Sequence, residues 1–316
     1  MGRRRGLQLA FLGAVLAAGT GWALAAGSPP AGAAPPCAAA PVPGSSTVTL
    51  MSGGLERTAL LHVPPGVPAG RRVPLLLALH GYHGTGPFMQ RYSGLSAIAD
   101  RHGFVVAYPS SYISYWNSTA ARGLPDDVAF LSALIAQLER SICIDPERVF
   151  ATGVSNGGGM VALLGCERSG QIAAIAPVAG GYGKQPPCDP ARPVSVLEIH
   201  GTADQDVNYF GERGRRTKNG LPPFVNAWAR RDRCRAVPRS RAIAPRTTLF
   251  RFGDCAAGAV VEHIRIRGGR HQWPGATPPD PGPETICASC TVWSFFSSLH
   301  AGTRAFAARV VGQSSQ

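Results

Sequence analysis

A chain of 316 residues with 45% hydrophobic content can bury one large core, and no linker or internal repeat divides it. Its formal net charge of +13 favours loose association with anionic surfaces such as cell wall or acidic polysaccharide. The arginines scattered between Arg213 and Arg241 lack interleaved aromatics, which speaks for a solvated basic face and against nucleic acid.

Arg3, Arg4 and Arg5 stand before the apolar run Leu7 to Ala26, the arrangement of a secretory signal, and Ala23-Leu24-Ala25 offers a small-residue cleavage site. Without those three charges the chain carries +10. Gly13, Gly19, Thr20 and Gly21 weaken the run as a membrane anchor, so export to an extracellular or periplasmic location is expected, without stable membrane insertion. The expected organisation is a signal over 1–26, a Pro/Ala-rich lead over 27–45, one folded domain over 46–301 and a tail over 302–316. All eight cysteines lie beyond the signal, and an even count in an exported chain argues for disulfides. A redox or zinc role for Cys287-x-x-Cys290 lacks the second ligand pair such sites use.

Ser46 to Met51 and Ala59 to Val63 read as strands around Gly53-Gly54, an N-terminal antiparallel hairpin. Val73 to His80 is almost wholly apolar and therefore suits a strand covered on both faces, as in a parallel sheet. Further strands are expected at Phe104 to Tyr108, Val149 to Thr152, Ile172 to Val178, Val194 to His200 and Val260 to Ile266. A helix over Asp126 to Arg140 gathers Val128, Leu131, Leu134, Ile135 and Leu138 on one face. Asp126 and Asp127 open it and read as caps. This alternation predicts an α/β fold, a mostly parallel sheet with helices on both faces and ligands at the carboxyl ends of the strands.

Gly153-Val154-Ser155-Asn156-Gly157 stands between a strand pattern and a helix pattern. It fits the sharp strand-to-helix turn that exposes a nucleophilic serine where a helix dipole favours negative charge. His80-Gly81-Tyr82-His83-Gly84 closes the first central strand, and the N–H groups of Tyr82 and Asn156 are candidates for an oxyanion hole. A serine needs a base, and the base an orienting acid. Asp204 follows one strand end and His271 follows another, so Ser155, Asp204 and His271 stand in the order serine, acid, histidine. Asp206 is the alternative acid. His200 is expected to pack or bond locally, and His83 to line the substrate site. The eight histidines show no metal-binding spacing, and no phosphate loop is present, so neither metal nor cofactor is expected.

The ordered segments LLLALHGYHGTG, DDVAFLSALI, CIDPERVFATGVSNGGGM, IAAIAPVAG, PVSVLEIHGTAD and GGRHQWPG resemble the secreted feruloyl esterase and polyhydroxybutyrate depolymerase family of α/β-hydrolases. The resemblance spans about Ser46 to His300. It implies the α/β-hydrolase fold and cofactor-free extracellular hydrolysis of carboxylic esters, with Ser155 as nucleophile, Asp204 as acid, His271 as base and Tyr82 and Asn156 as oxyanion donors. It also implies disulfides Cys166 to Cys188 and Cys234 to Cys255, leaving Cys37, Cys143, Cys287 and Cys290 unassigned. Arg270 and Asn208 depart from the family pattern. The absence of a following polymer-binding module shifts the expectation toward soluble oligosaccharide esters or short oligoesters. Trp116 and Trp273, with Tyr112 and Tyr115, are candidates to stack on an aromatic acyl group or a sugar. Two other activities fit the same residues less well: acyl transfer to cell-envelope sugars, and wall binding without catalysis.

Overall fold

The computed structural model describes residues 41–67, 70–211, 221–276 and 286–311, with side chains described as far as residue 299. The expected signal over 1–26, and the lead as far as residue 40, lie outside the described residues. Among the described residues ten strands form one sheet: β1 (Gly44–Ser52), β2 (Leu55–Val63), β3 (Val73–Leu79), β4 (Val105–Pro109), β5 (Ile144–Val154), β6 (Ala174–Val178), β7 (Ser195–Gly201), β8 (Arg239–Ala244), β9 (Thr247–Phe252) and β10 (Val261–Ile266). Their spatial order is β1, β2, β4, β3, β5, β6, β7, β10, β9, β8. From β4 to β10 the neighbours run parallel, and each edge carries an antiparallel wing.

The apolar run of β3 explains the layering. Leu75, Leu77 and Leu79 enter one buried cluster and Leu76 and Ala78 the other, because successive side chains of a strand point to opposite faces. The first cluster is covered by α3 (Asp127–Ser141), α4 (Asn156–Glu167) and α5 (Leu221–Arg231). The second is covered by α1 (Gly86–Ser93), α2 (Leu95–His102) and α6 (Ala288–Val311). Burying each such leucine contributes about 1.5–3 kcal/mol. A sheet sandwiched in this way keeps its strand ends rigid.

The N-terminal hairpin forms as expected. Gly53 and Gly54 take φ of 59° and 77°, the left-handed conformation that a two-residue hairpin turn demands at both positions. The opposite wing, β8 and β9, was not expected. β8 reads Arg-Ser-Arg-Ala-Ile-Ala and is exposed over its first four residues, so it lacks the apolar alternation that marks a half-buried strand. Charge on an edge strand instead discourages pairing with another chain. Only the first of the two expected caps of α3 serves as one: Asp126 accepts the Ala129 N–H at 2.8 Å. Asp127 turns inward, 2% exposed, to meet Arg57 Nη2 at 2.6 Å.

Candidate active site

β5 ends at Val154 and α4 begins at Asn156, so Ser155 alone makes the turn, with φ 57° and ψ −120°. The flanking glycines allow the strand and helix to close on each other. A Cβ on Gly153 would lie 2.7 Å from the backbone of Gly157, and one on Gly157 would lie 2.3 Å from the His80 carbonyl oxygen. No side chain fits at those distances. Ser155 is therefore presented at the N-terminus of α4, whose first N–H groups have no acceptor within the helix.

Ser155 Oγ lies 2.8 Å from His271 Nε2, and His271 Nδ1 lies 2.7 Å from Asp204 Oδ2. The three residues stand on three different strand ends, after β5, β7 and β10. The other Asp204 oxygen, Oδ1, accepts the N–H groups of Asp206 at 2.9 Å and Val207 at 2.7 Å. Burial alone would raise the Asp204 carboxyl, but hydrogen bonds and charge from His200 and His271 outweigh it and hold the group well below the usual carboxylate range. Asp206 is exposed and donates its backbone N–H to Asp204 Oδ1; the carboxylate that meets His271 is that of Asp204. Donor atoms of Asp204, Asp206 and His271 lie within 4.8 Å of one another, a proximity already accounted for by the bond between His271 and Asp204.

The loop after β3 packs against the elbow, where a Cβ on Gly81 would lie 3.2 Å from that of Ser155. Tyr82 follows in a turn closed by the Gly84 N–H on the Gly81 carbonyl at 3.1 Å. The side chain of Asn156 grips the 110–123 segment. Its Oδ1 accepts the Trp116 N–H at 2.6 Å, and its Nδ2 donates to the Trp116 carbonyl at 3.1 Å. His80 completes the brace: Nε2 accepts the Ser111 N–H at 3.1 Å and Nδ1 donates to the Gly81 carbonyl at 2.7 Å. Burial lowers its pKa, in keeping with a neutral ring.

A cleft of about 1020 Å³ runs from Ser155 to the Cys166–Cys188 disulfide. Tyr82 and Tyr115 stack on its border with ring centroids 5.2 Å apart. The expected substrate residues divide. Trp116 borders the cleft but is only 1% exposed, and its indole N–H donates to the His80 carbonyl at 2.9 Å. Its role is thus partly structural. His83 does not line the cleft; it is exposed, packs edge-on to Tyr82 and donates its backbone N–H to Ser114 at 2.7 Å. Trp273 does not line it either. Fully buried in the second core cluster, it satisfies its indole N–H on Ser289 Oγ at 3.0 Å, which lets a large apolar ring be excluded from water without an orphaned donor.

Cys166 pairs with Cys188 and Cys234 with Cys255, as the resemblance implies. Cys287 pairs with Cys290, and Cys143 is also disulfide-bonded.

Two features escaped sequence reasoning. Asp127 Oδ2 accepts the Asn117 N–H at 2.7 Å, so the buried Arg57–Asp127 pair anchors the segment that Asn156 holds from the other side. Behind Asp204, Glu198 points from β7 to the same side as His200, whose expected local bonding is to Glu198 and the Val207 carbonyl. A charged residue two positions before a histidine in an apolar strand was the available signal, since residues i and i+2 share a face.

Residues 58–184 match the esterase PHB depolymerase family. Over 254 residues the chain is 35% identical to NocK of Nocardia uniformis subsp. tsuyamanensis, named as an esterase, covering 72% of this chain and 73% of that protein. It is 29% identical over 229 residues to feruloyl esterase B of Piromyces equi, covering 68% of this chain but 42% of that relative. Acetyl xylan esterase from Aspergillus awamori superposes with a TM-score of 0.56 at 18% identity, over 72% of this chain and 95% of that one, and so shares the α/β-hydrolase fold.

Proposed function

The chain belongs to the esterase PHB depolymerase family, and from that premise we propose that it is a serine esterase acting through an acyl-enzyme on feruloyl or acetyl esters of plant polysaccharide, or on polyhydroxybutyrate-type oligoesters. The observation that carries this reading is the continuous relay from Ser155 through His271 to Asp204, with spacings of 2.8 and 2.7 Å. Ser155 Oγ attacks the ester carbonyl while His271 Nε2 takes its proton. Asp204 holds the other ring nitrogen and stabilises the imidazolium that forms. The N–H groups of Tyr82 and Asn156 donate to the oxyanion, a role in which each donor contributes about 3–4 kcal/mol. His271 returns the proton to the leaving alcohol, then activates the water that releases the acid.

The stacked Tyr82 and Tyr115 at the cleft border support an aromatic acyl group, whose flat face they match. The disulfides support action in an oxidising compartment outside the cytoplasm, and the basic surface supports loose association with an anionic cell wall. Ser155→Ala is expected to lower turnover of a p-nitrophenyl acyl ester about 10⁴-fold or more, and unchanged turnover would overturn the reading. Methyl ferulate, acetylated xylan and hydroxybutyrate oligomers, compared by kcat/KM, separate the acyl groups.

A further inference from the structure

Both ring nitrogens of His200 face only acceptors. Nδ1 lies 2.9 Å from Glu198 Oε1. Nε2 lies 3.0 Å from the Val207 carbonyl and 3.0 Å from Asp204 Oδ2, the oxygen that also meets His271. A neutral imidazole can donate from one nitrogen alone, so this set of acceptors requires both nitrogens to be protonated. The ring is 1% exposed and Glu198 fully buried; a buried carboxylate of that kind needs a cation against it.

The surrounding groups agree with this charge. On β10, His263 Nδ1 lies 2.7 Å from Glu198 Oε2, and its Nε2 lies 2.8 Å from the Tyr209 hydroxyl. Arg265, the neighbour of His200 across the strand pair, directs its guanidinium over Phe250. Tyr182, following β6, donates its hydroxyl to Glu198 Oε1 at 3.3 Å. Burial works against an imidazolium at His200, but the charge of Glu198 and the bonds to both carboxylates outweigh it and push the group up to about 10.

We propose that His200, held as a cation by Glu198, is the positioning residue for Asp204, so that the relay runs through five side chains, from Ser155 through His271, Asp204 and His200 to Glu198. This rests on the triad proposed above. The cation pins Asp204 Oδ2 from behind and keeps the carboxylate ionised, while its positive charge also disfavours a proton on His271. Glu198 supplies the balancing negative charge on the far ring nitrogen, so the cation, which shares Asp204 Oδ2 with His271, is the nearer charge to that ring.

The test is the double variant Glu198→Gln/His200→Gln, which removes both charges together and retains amide donors and acceptors. With the cation gone, His271 holds its proton to higher pH, so the acid limb of kcat/KM is expected to move up by about half a pH unit, about threefold in rate at its foot. A limb coincident with that of the wild type in a folded variant would overturn the proposal, since a purely structural pair would change rate at every pH alike. Should the double variant not fold, nitrogen–proton correlation spectra of histidine-labelled wild-type protein at pH 8.5 decide: an imidazolium pattern must persist, and its absence would overturn the proposal. Failure of the triad itself shows separately, as turnover retained by Ser155→Ala.

Discussion

Asp127 and Asp204 are 2% and 3% exposed, and each has a cationic side chain against it, Arg57 at 2.6 Å and His200 at 3.0 Å. Burial raises the pKa of both, yet the net shifts run in opposite directions. At Asp127 burial dominates and raises the carboxyl despite the Arg57 and Asn117 bonds, whereas at Asp204 the histidines prevail and lower it. Each oxygen of Asp127 has one donor; those of Asp204 meet two backbone N–H groups and two imidazoles. A single strong cation therefore does not replace the water a carboxylate loses, and a full shell of donors does. The first arrangement holds a segment in place, and the second keeps a charge where the proposed reaction needs it.

The largest test of this contrast exchanges each acid for its amide. Asp204→Asn is expected to lower kcat on a p-nitrophenyl ester by about 10⁴-fold while Ser155 remains in place. Asp127→Asn is expected to leave kcat of the folded protein nearly unchanged but to cost about 3–5 kcal/mol in denaturant unfolding, because Arg57 is left buried and unpaired. If Asp127→Asn removed activity without loss of stability, the division of roles would be wrong. Replacing both members, Arg57→Leu with Asp127→Leu, is expected to recover much of that stability, since the desolvation cost disappears with the pair.

A smaller effect is expected at the far end of the anchored segment. Asn156→Ala keeps the backbone N–H proposed for the oxyanion but removes the acceptor for the Trp116 N–H, at a cost of about 1–3 kcal/mol. The 110–123 segment borders the cleft, so KM for an aromatic ester is expected to rise more than kcat falls; an equal loss in both would argue against this bracing role.

The smallest effect is the acid dependence of stability. The folded-state pKa of Asp204 lies below its ordinary value of 3.8, so its contribution is present above that value and lost as pH falls through the folded one. Asp204→Asn should therefore flatten the decline of Tm below pH 4 relative to the wild type, measured by calorimetry across an acid series. An unchanged slope would remove Asp204 from the account of acid stability.

The sequence by itself determined whatever depends on a short stretch of backbone. The glycines around Ser155 require the sharp turn, the unbroken apolar run of β3 requires cover on both faces, and Asp204 and His271 each follow a strand readable from its own composition. Only the tertiary structure decided which faces meet. The register of β7 against β10 sets His263 opposite Glu198, the packing of α6 buries Trp273, and the approach of β2 to α3 turns Asp127 from a helix cap into the partner of Arg57. Chain-local pattern records how a residue sits on its own element, whereas burial and charge pairing depend on partners brought together from distant parts of the chain. The contacts that tune the proposed acid from behind, and that removed two of its expected substrate residues from the cleft, were settled at that level.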